Sequence, residues 1–208
     1  MWSWMMVAGT MLLLMNACGS SPSFPTAQEK PTQVAKQASG SVPPIQRLRM
    51  QAERGNVEAQ FALAQAYDRG RDVPKDKTEA VRWYRLAATQ GDAFAQNALG
   101  DNYWEGTAVP KDDKEAARWW RLAGAQGFAP AQHSLGKILS GGGQGVPTDK
   151  TQAYMWLALS AAQGDEEAGQ QSTLLSKQLK LAEMMAAKKL VKQWKPARAS
   201  VTVNKIVQ

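Results

Sequence analysis

Between residues 52 and 164, apolar and small side chains recur at intervals of three and four, and the same order of residues returns about every 36 positions. Gly55, Gly91, Gly127 and Gly164 are spaced 36, 36 and 37 apart. Ala59, Ala95, Ala131 and Ala168 form a second column, and Leu63, Leu99 and Leu135 a third. Gln60, Gln96 and Gln132 form another, with Gln170 one position late. Tyr67 and Tyr103 match, and Leu139 stands third. Gly70, Gly106 and Gly142, Pro74, Pro110 and Pro147, Ala80, Ala116 and Ala153, and Trp83, Trp119 and Trp156 complete the pattern. A fixed period of this length is the signature of stacked supersecondary units.

Each unit reads as helix, loop, helix. Positions 59, 63 and 67, with a small residue at 64, share one face at helical period. Gly70 suits a C-terminal cap. Asp76 with Glu79, Asp112 with Glu115, and Asp149 with Gln152 predict capping boxes that open the second helices. Ala80, Trp83, Tyr84 and Ala87 then face inward. The extra residue of the third unit falls in Gly141-Gly142-Gly143-Gln144-Gly145, a loop where insertions cost little.

The run Ala59-Gln60-x-x-Leu63-Ala64-x-x-Tyr67-x-x-Gly70, then Val73-Pro74-x-Asp76, then Ala80-x-x-Trp83-Tyr84-x-x-Ala87-Ala88-x-x-Gly91 resembles the Sel-one-like repeat, a relative of the tetratricopeptide repeat. The resemblance covers residues 52–164. It implies an all-α solenoid: a right-handed superhelix of three repeats with capping helices, whose first helices line a concave side. It also implies adaptor activity toward a protein partner.

The expected domain plan follows. Residues 45–54 form an N-terminal capping helix, 55–173 the repeats, 174–195 one long basic capping helix, and 196–208 a disordered tail. In the long helix Leu175, Leu179, Ala182, Ala186, Leu190 and Trp194 make an apolar stripe. Lys177, Lys180, Lys188, Lys192 and Lys195 lie roughly opposite. Met155 and Ala158 replace the arginines of earlier second helices, so the final helix is expected to cover them.

The N-terminus carries a different signal. Met5 to Ala17 is mostly apolar around Leu12, Leu13 and Leu14, too short to span a bilayer, which takes roughly 20 residues. It fits the apolar region of a signal peptide over 1–17. Ala17-Cys18-Gly19-Ser20 resembles a lipobox, which implies a lipidated Cys18 as the mature N-terminus. Residues 18–44, rich in Ser, Pro, Gln and Thr, read as a flexible tether. The expected location is the bacterial cell envelope, lipid-anchored. With no Asp after the cysteine, it leans to the outer membrane, facing the periplasm.

The net charge of +7 is local. Residues 1–176 balance, and eight basic side chains against Glu183 alone fill residues 177–208. This excludes a global nucleic-acid reading and leaves a basic end with three readings: a solvated outer face, contact with peptidoglycan, another anionic polymer or anionic lipid, or docking to an acidic protein.

Enzyme chemistry finds no constellation. His133 is the single histidine and Cys18 the single cysteine, so no His/Cys metal cluster can form. No metal, cofactor or catalytic residue is expected. The glycine loop lacks the Lys-Ser/Thr of a phosphate cradle. His133 is expected at a variable surface position. Three columns of the first helices vary while their neighbours hold: Phe61/Asn97/His133, Gln65/Asp101/Lys137 and Asp68/Trp104/Ser140. Their i, i+4, i+7 spacing gives one face per repeat. These nine residues are the expected partner-binding surface, with Trp104 as an anchor because Asp68 and Ser140 show the fold does not require an aromatic there.

Overall fold

The computed structural model describes residues 43–197. Among them the chain forms nine helices: α1 Pro44–Glu53, α2 Val57–Arg69, α3 Lys77–Thr89, α4 Ala93–Glu105, α5 Asp113–Ala125, α6 Ala129–Gly141, α7 Lys150–Ala161, α8 Glu166–Ser176 and α9 Leu181–Gln193. The pairs α2–α3, α4–α5 and α6–α7 are the three repeat hairpins. Each also packs on the helix before it, which makes an all-α solenoid. The signal segment, Cys18 and the tether up to residue 42 lie outside the described residues.

Local chemistry sets the helix starts. Asn56, Asp92 and Asp165 cap α2, α4 and α8 by accepting the amides of Ala59, Ala95 and Ala168 at 2.7, 2.6 and 2.9 Å. Asp76, Asp112 and Asp149 cap the second helices. The expected reciprocal half of their capping boxes does not form. The amides of Asp76, Asp112 and Asp149 already donate across the hairpin to the carbonyls of Tyr67, Tyr103 and Leu139. Glu79 and Glu115 are thereby released to pair with Arg82 and Arg118 at 3.0 and 3.2 Å. Gly70 and Gly106 end α2 and α4 in the left-handed region, at φ +70° and +73°.

The core is periodic like the sequence. Trp83, Trp119 and Trp156 are buried, as are the Ala and Leu columns. The small-residue column has a steric cause. A Cβ at Gly100 would stand 2.6 Å from the Trp120 indole, and one at Gly136 would stand 2.6 Å from Leu157. The glutamine column is buried and bonded. Gln60, Gln96 and Gln132 donate to the carbonyls of Ala52, Ala88 and Gly124 in the preceding helix at 3.1, 3.0 and 3.0 Å. Each accepts in turn from Gln90, Gln126 or Gln163 at 2.7–2.8 Å. This ladder ties every repeat to its predecessor and satisfies polar groups that burial would otherwise penalise. Gln170, off register, is exposed.

The C-terminal end differs from expectation. The long helix 174–195 is two elements: α8 ends at Ser176, and α9 begins at Leu181. Lys180 starts α9 with its amide on Glu183 Oε2 at 2.8 Å. The reversal turns α9 back onto α7, where it covers the buried Met155 as the repeat comparison anticipates. The buried face of α9 is Ala187 with Met184, Val191 and Trp194, so Ala182, Ala186 and Leu190 are exposed rather than in the stripe. The stripe fails because its first two members precede the break and so do not set the rotation of α9. Pro196 and Ala197, assigned to the tail, pack in place: Ala197 donates to the Ala125 carbonyl at 2.8 Å. Residues 198–208 lie outside the described residues.

Candidate functional site

The strongest candidate site lies where α4 meets α6. Asp101, Trp104 and Glu105 of α4, Trp120 of α5, and Ser134 and Lys137 of α6 line a cleft of about 220 Å³. Trp104 is 37% exposed, with its ring centroid 5.9 Å from that of Trp120. The Lys111 ammonium sits 4.5 Å from the centre of the Trp104 ring, a cation–π contact that holds the indole without covering it.

Asp101 is the buttress of this cleft. Its carboxylate accepts the Trp120 indole N–H at 2.9 Å and the Asn97 side-chain amide at 2.9 Å. Burial pushes the Asp101 carboxyl above the usual carboxylate range. The Trp120 bond opposes that rise, nearby Glu105 adds to it, and the Asn97 bond opposes it.

A second cluster lies toward the start of α4. Phe94, 56% exposed, packs against Phe61 and Phe128 at centroid distances of 5.7 and 4.8 Å. Phe61 also meets Tyr84 at 5.8 Å. Burial, followed by the Asp68 charge, pushes the Tyr84 phenol up to about 12. Phe94, Asn97, Asp101 and Trp104 fall at i, i+3, i+7 and i+10 and share one face of α4. Two aromatic ends therefore stand about 15 Å apart at 1.5 Å per residue, with polar groups between them.

The nine expected contact residues separate into groups. Asp101, Trp104 and Lys137 come together in the cleft. Asn97 is half-buried beside them, its Oδ1 without a partner among the described residues. Phe61 belongs to the aromatic cluster. Gln65 lines a shallow cleft against Ile45 and Leu48 of α1. Asp68 is bound by the Lys77 ammonium at 2.5 Å. Ser140 bonds back to the Lys137 carbonyl at 2.8 Å. His133 is a correction: it is half-buried, not a surface residue. Its Nδ1 lies 2.8 Å from Asp165, the cap of α8, which also accepts the Ser160 hydroxyl at 2.9 Å. The next helix covers this end of the face, so its residue is drawn into the junction.

The basic residues Lys177, Lys180, Lys188, Lys192 and Lys195 are all exposed. They do not oppose an apolar stripe. Lys188 and Lys192 share a face of α9 with Leu181 and Met185, which are 78% and 65% exposed.

Phe94, Trp120, Glu105 and Ser134 were not among the expected residues. Phe94 was findable: its column holds Glu58 and Pro130, so its aromatic ring is as optional as that of Trp104. Among the described residues no group of three or more His, Cys, Asp and Glu could hold a metal ion.

Three consecutive segments, residues 57–92, 93–128 and 129–165, match the Sel1 repeat family. Together they make up more than half of the chain. The chain belongs to the Sel1 repeat family. Sel1 repeats generally serve protein–protein interaction, and their scaffolds are typically non-enzymatic. The chain is similar to a Sel1 repeat protein from Oxalobacter formigenes, at 36% identity and a TM-score of 0.59, over 64% of this chain and 98% of that one. It is also similar to c5321, a protective antigen present in uropathogenic Escherichia coli strains that displays the same fold. There the identity is 26% and the TM-score 0.55, over 84% of this chain but only 46% of that longer one. No curated protein matches the sequence. α8 stands at the register of a further first helix, with Asp165 and Ala168 in the cap and alanine columns, beyond the third matched Sel1 segment.

Proposed function

We propose that this Sel1 repeat protein is a non-catalytic scaffold of the bacterial cell envelope that holds a protein partner along the exposed face of α4. The observation that carries this reading is Trp104. An indole more than a third exposed stands on Trp120 in a polar-rimmed cleft, about 15 Å along the helix from a second exposed ring, Phe94. Aromatic anchors beside convergent polar groups are where interface energy concentrates. The apolar run before Cys18 and the Ser/Pro-rich stretch after it support a lipid tether, on the outer membrane and facing the periplasm.

A second reading rests on α9. Exposed Lys188 and Lys192 beside exposed Leu181 and Met185 suit an anionic polymer such as peptidoglycan, or an anionic lipid surface. Cross-linked capture from intact envelopes separates the two. The scaffold reading expects Trp104→Ala to lose a specific protein that a Lys188→Gln/Lys192→Gln chain retains. The reverse pattern, with glycan or lipid lost from the lysine variant, rejects it in favour of the second.

A further inference from the structure

The junctions between successive units follow a rule that the third one breaks. Arg49 donates to the Tyr67 hydroxyl at 2.7 Å. One period later Arg85 donates to the Tyr103 hydroxyl at 2.9 Å. The third pair in this register is Arg121 and Leu139, and leucine offers no acceptor. Arg121 is exposed, without a hydrogen-bonded or ion-paired partner among the described residues.

The same junction carries the one-residue insertion. The glycine loop stands beside α5, and Gly145, Val146 and Pro147 wall a cleft of about 290 Å³. Lys114, Arg118 and Arg121, at i, i+4 and i+7 of α5, enter it from one side. The Lys114 stem lies across Gly145, where an added Cβ would overlap its Cε; Gly145 is also at φ +74°. Two of the charges that reach the cleft are already engaged. Arg118 pairs with Glu115 at 3.2 Å. The Asp149 carboxylate accepts the Gln152 amide and side chain at 2.9 and 3.0 Å. Lys114 forms no ion pair among the described residues, so it and Arg121 leave the cleft net positive against the one unpaired carboxylate that lines it, Asp149.

We propose that this cleft is a binding site for an oxyanion, a phosphate or carboxylate group carried by a ligand, with Arg121 and Lys114 as its holding residues. The guanidinium that a tyrosine occupies in the earlier junctions here presents its planar fork of donors to solvent. That geometry matches two oxygens of one anion. The site does not depend on the α4 face.

Calorimetric titration of the full chain at low salt tests it, with inorganic phosphate and citrate as separate probes. A single saturable site is expected for at least one of them. Arg121→Gln and Lys114→Gln each weaken it by about tenfold. Leu139→Tyr, which restores the hydroxyl partner of Arg121 without changing any charge, weakens it as well. Lys75→Gln, exposed in the first repeat, leaves it unchanged. Tighter phosphate binding assigns a phosphate ligand and tighter citrate binding a carboxylate one, and either result supports the site. Three outcomes overturn it: no saturable heat with either anion, an Arg121→Gln chain that binds like wild type, or a Lys75→Gln loss equal to that of Arg121→Gln. The last would reduce the effect to diffuse attraction by a basic chain.

Discussion

The Trp120 indole N–H donates to the Asp101 carboxylate at 2.9 Å, joining the two helices of the second repeat beneath Trp104. The bond gives Asp101 a positioning role: it fixes the indole on which the exposed ring rests. Asp101→Ala leaves a buried donor unmet and is expected to cost about 1–3 kcal/mol in urea unfolding. Asp101→Asn keeps an acceptor and is expected to cost less. A Trp120 indole N–H resonance, followed by NMR, that is unchanged in the alanine variant would argue against this role.

The glutamine ladder predicts a second loss. Gln96→Ala removes two hydrogen bonds of the ladder: one of the donors to the Ala88 carbonyl, which keeps the Gly91 amide, and one of the acceptors of Gln126, which keeps the Gly91 carbonyl. A destabilisation of about 1–3 kcal/mol is expected, with the first and second repeats unfolding less cooperatively. Hydrogen exchange resolved by segment would show that uncoupling directly. An exposed substitution such as Gln170→Ala should change nothing measurable.

Packing gives a third prediction. Gly100→Ala puts a methyl group 2.6 Å from the Trp120 indole. The ring must move or the helices separate, at a cost of about 1–3 kcal/mol. A thermal melt of the variant checks the cost, and a shifted Trp120 indole N–H resonance checks the displacement.

Two carboxylates give opposite pH dependences. Burial opposes ionisation of Asp165, but the Ala168 amide, the Ser160 hydroxyl and His133 together hold its carboxyl below the usual range. Its stabilising contribution is present above the ordinary value of 3.8 and is lost as pH falls through the lowered one. Asp101, raised mainly by burial, works the other way: stability falls as pH climbs from 3.8 through its folded value. Urea midpoints measured from pH 3 to pH 6 should therefore fall less on acidification in Asp165→Asn than in wild type. In Asp101→Asn the decline as pH rises should be smaller. Parallel curves for all three chains would contradict both assignments.

Much of the fold was legible because local chemistry repeats. The aspartate caps, the Gly70 and Gly106 stops and the tryptophan column fix where helices begin, end and face, and each acts within a few residues. The break at 177–180 was hidden because the spacing from Leu175 to Trp194 stays helical across it. What turns the chain there is the uncovered side of α7, a tertiary demand; the local mark is Glu183, whose carboxylate accepts the Lys180 amide at the start of α9. At the candidate site the comparison of columns found Trp104 and Asp101. That Asp101 faces Trp120 is not legible there, because the pairing depends on the rotation of one helix against another 19 residues on. The burial of His133 is hidden for a related reason: its partner Asp165 is 32 residues away and belongs to the next unit.

The central claim, that the α4 face holds a protein, is tested most directly by placing a photo-cross-linking residue at position 104 in the full chain and, separately, at Arg82, exposed on the second helix of the first repeat. Irradiation of intact envelopes should join one defined protein to the chain labelled at 104, leave the chain labelled at 82 free of it, and lose the adduct when Phe94→Ala is added. Equal adducts from both positions, or none from 104, would contradict the claim.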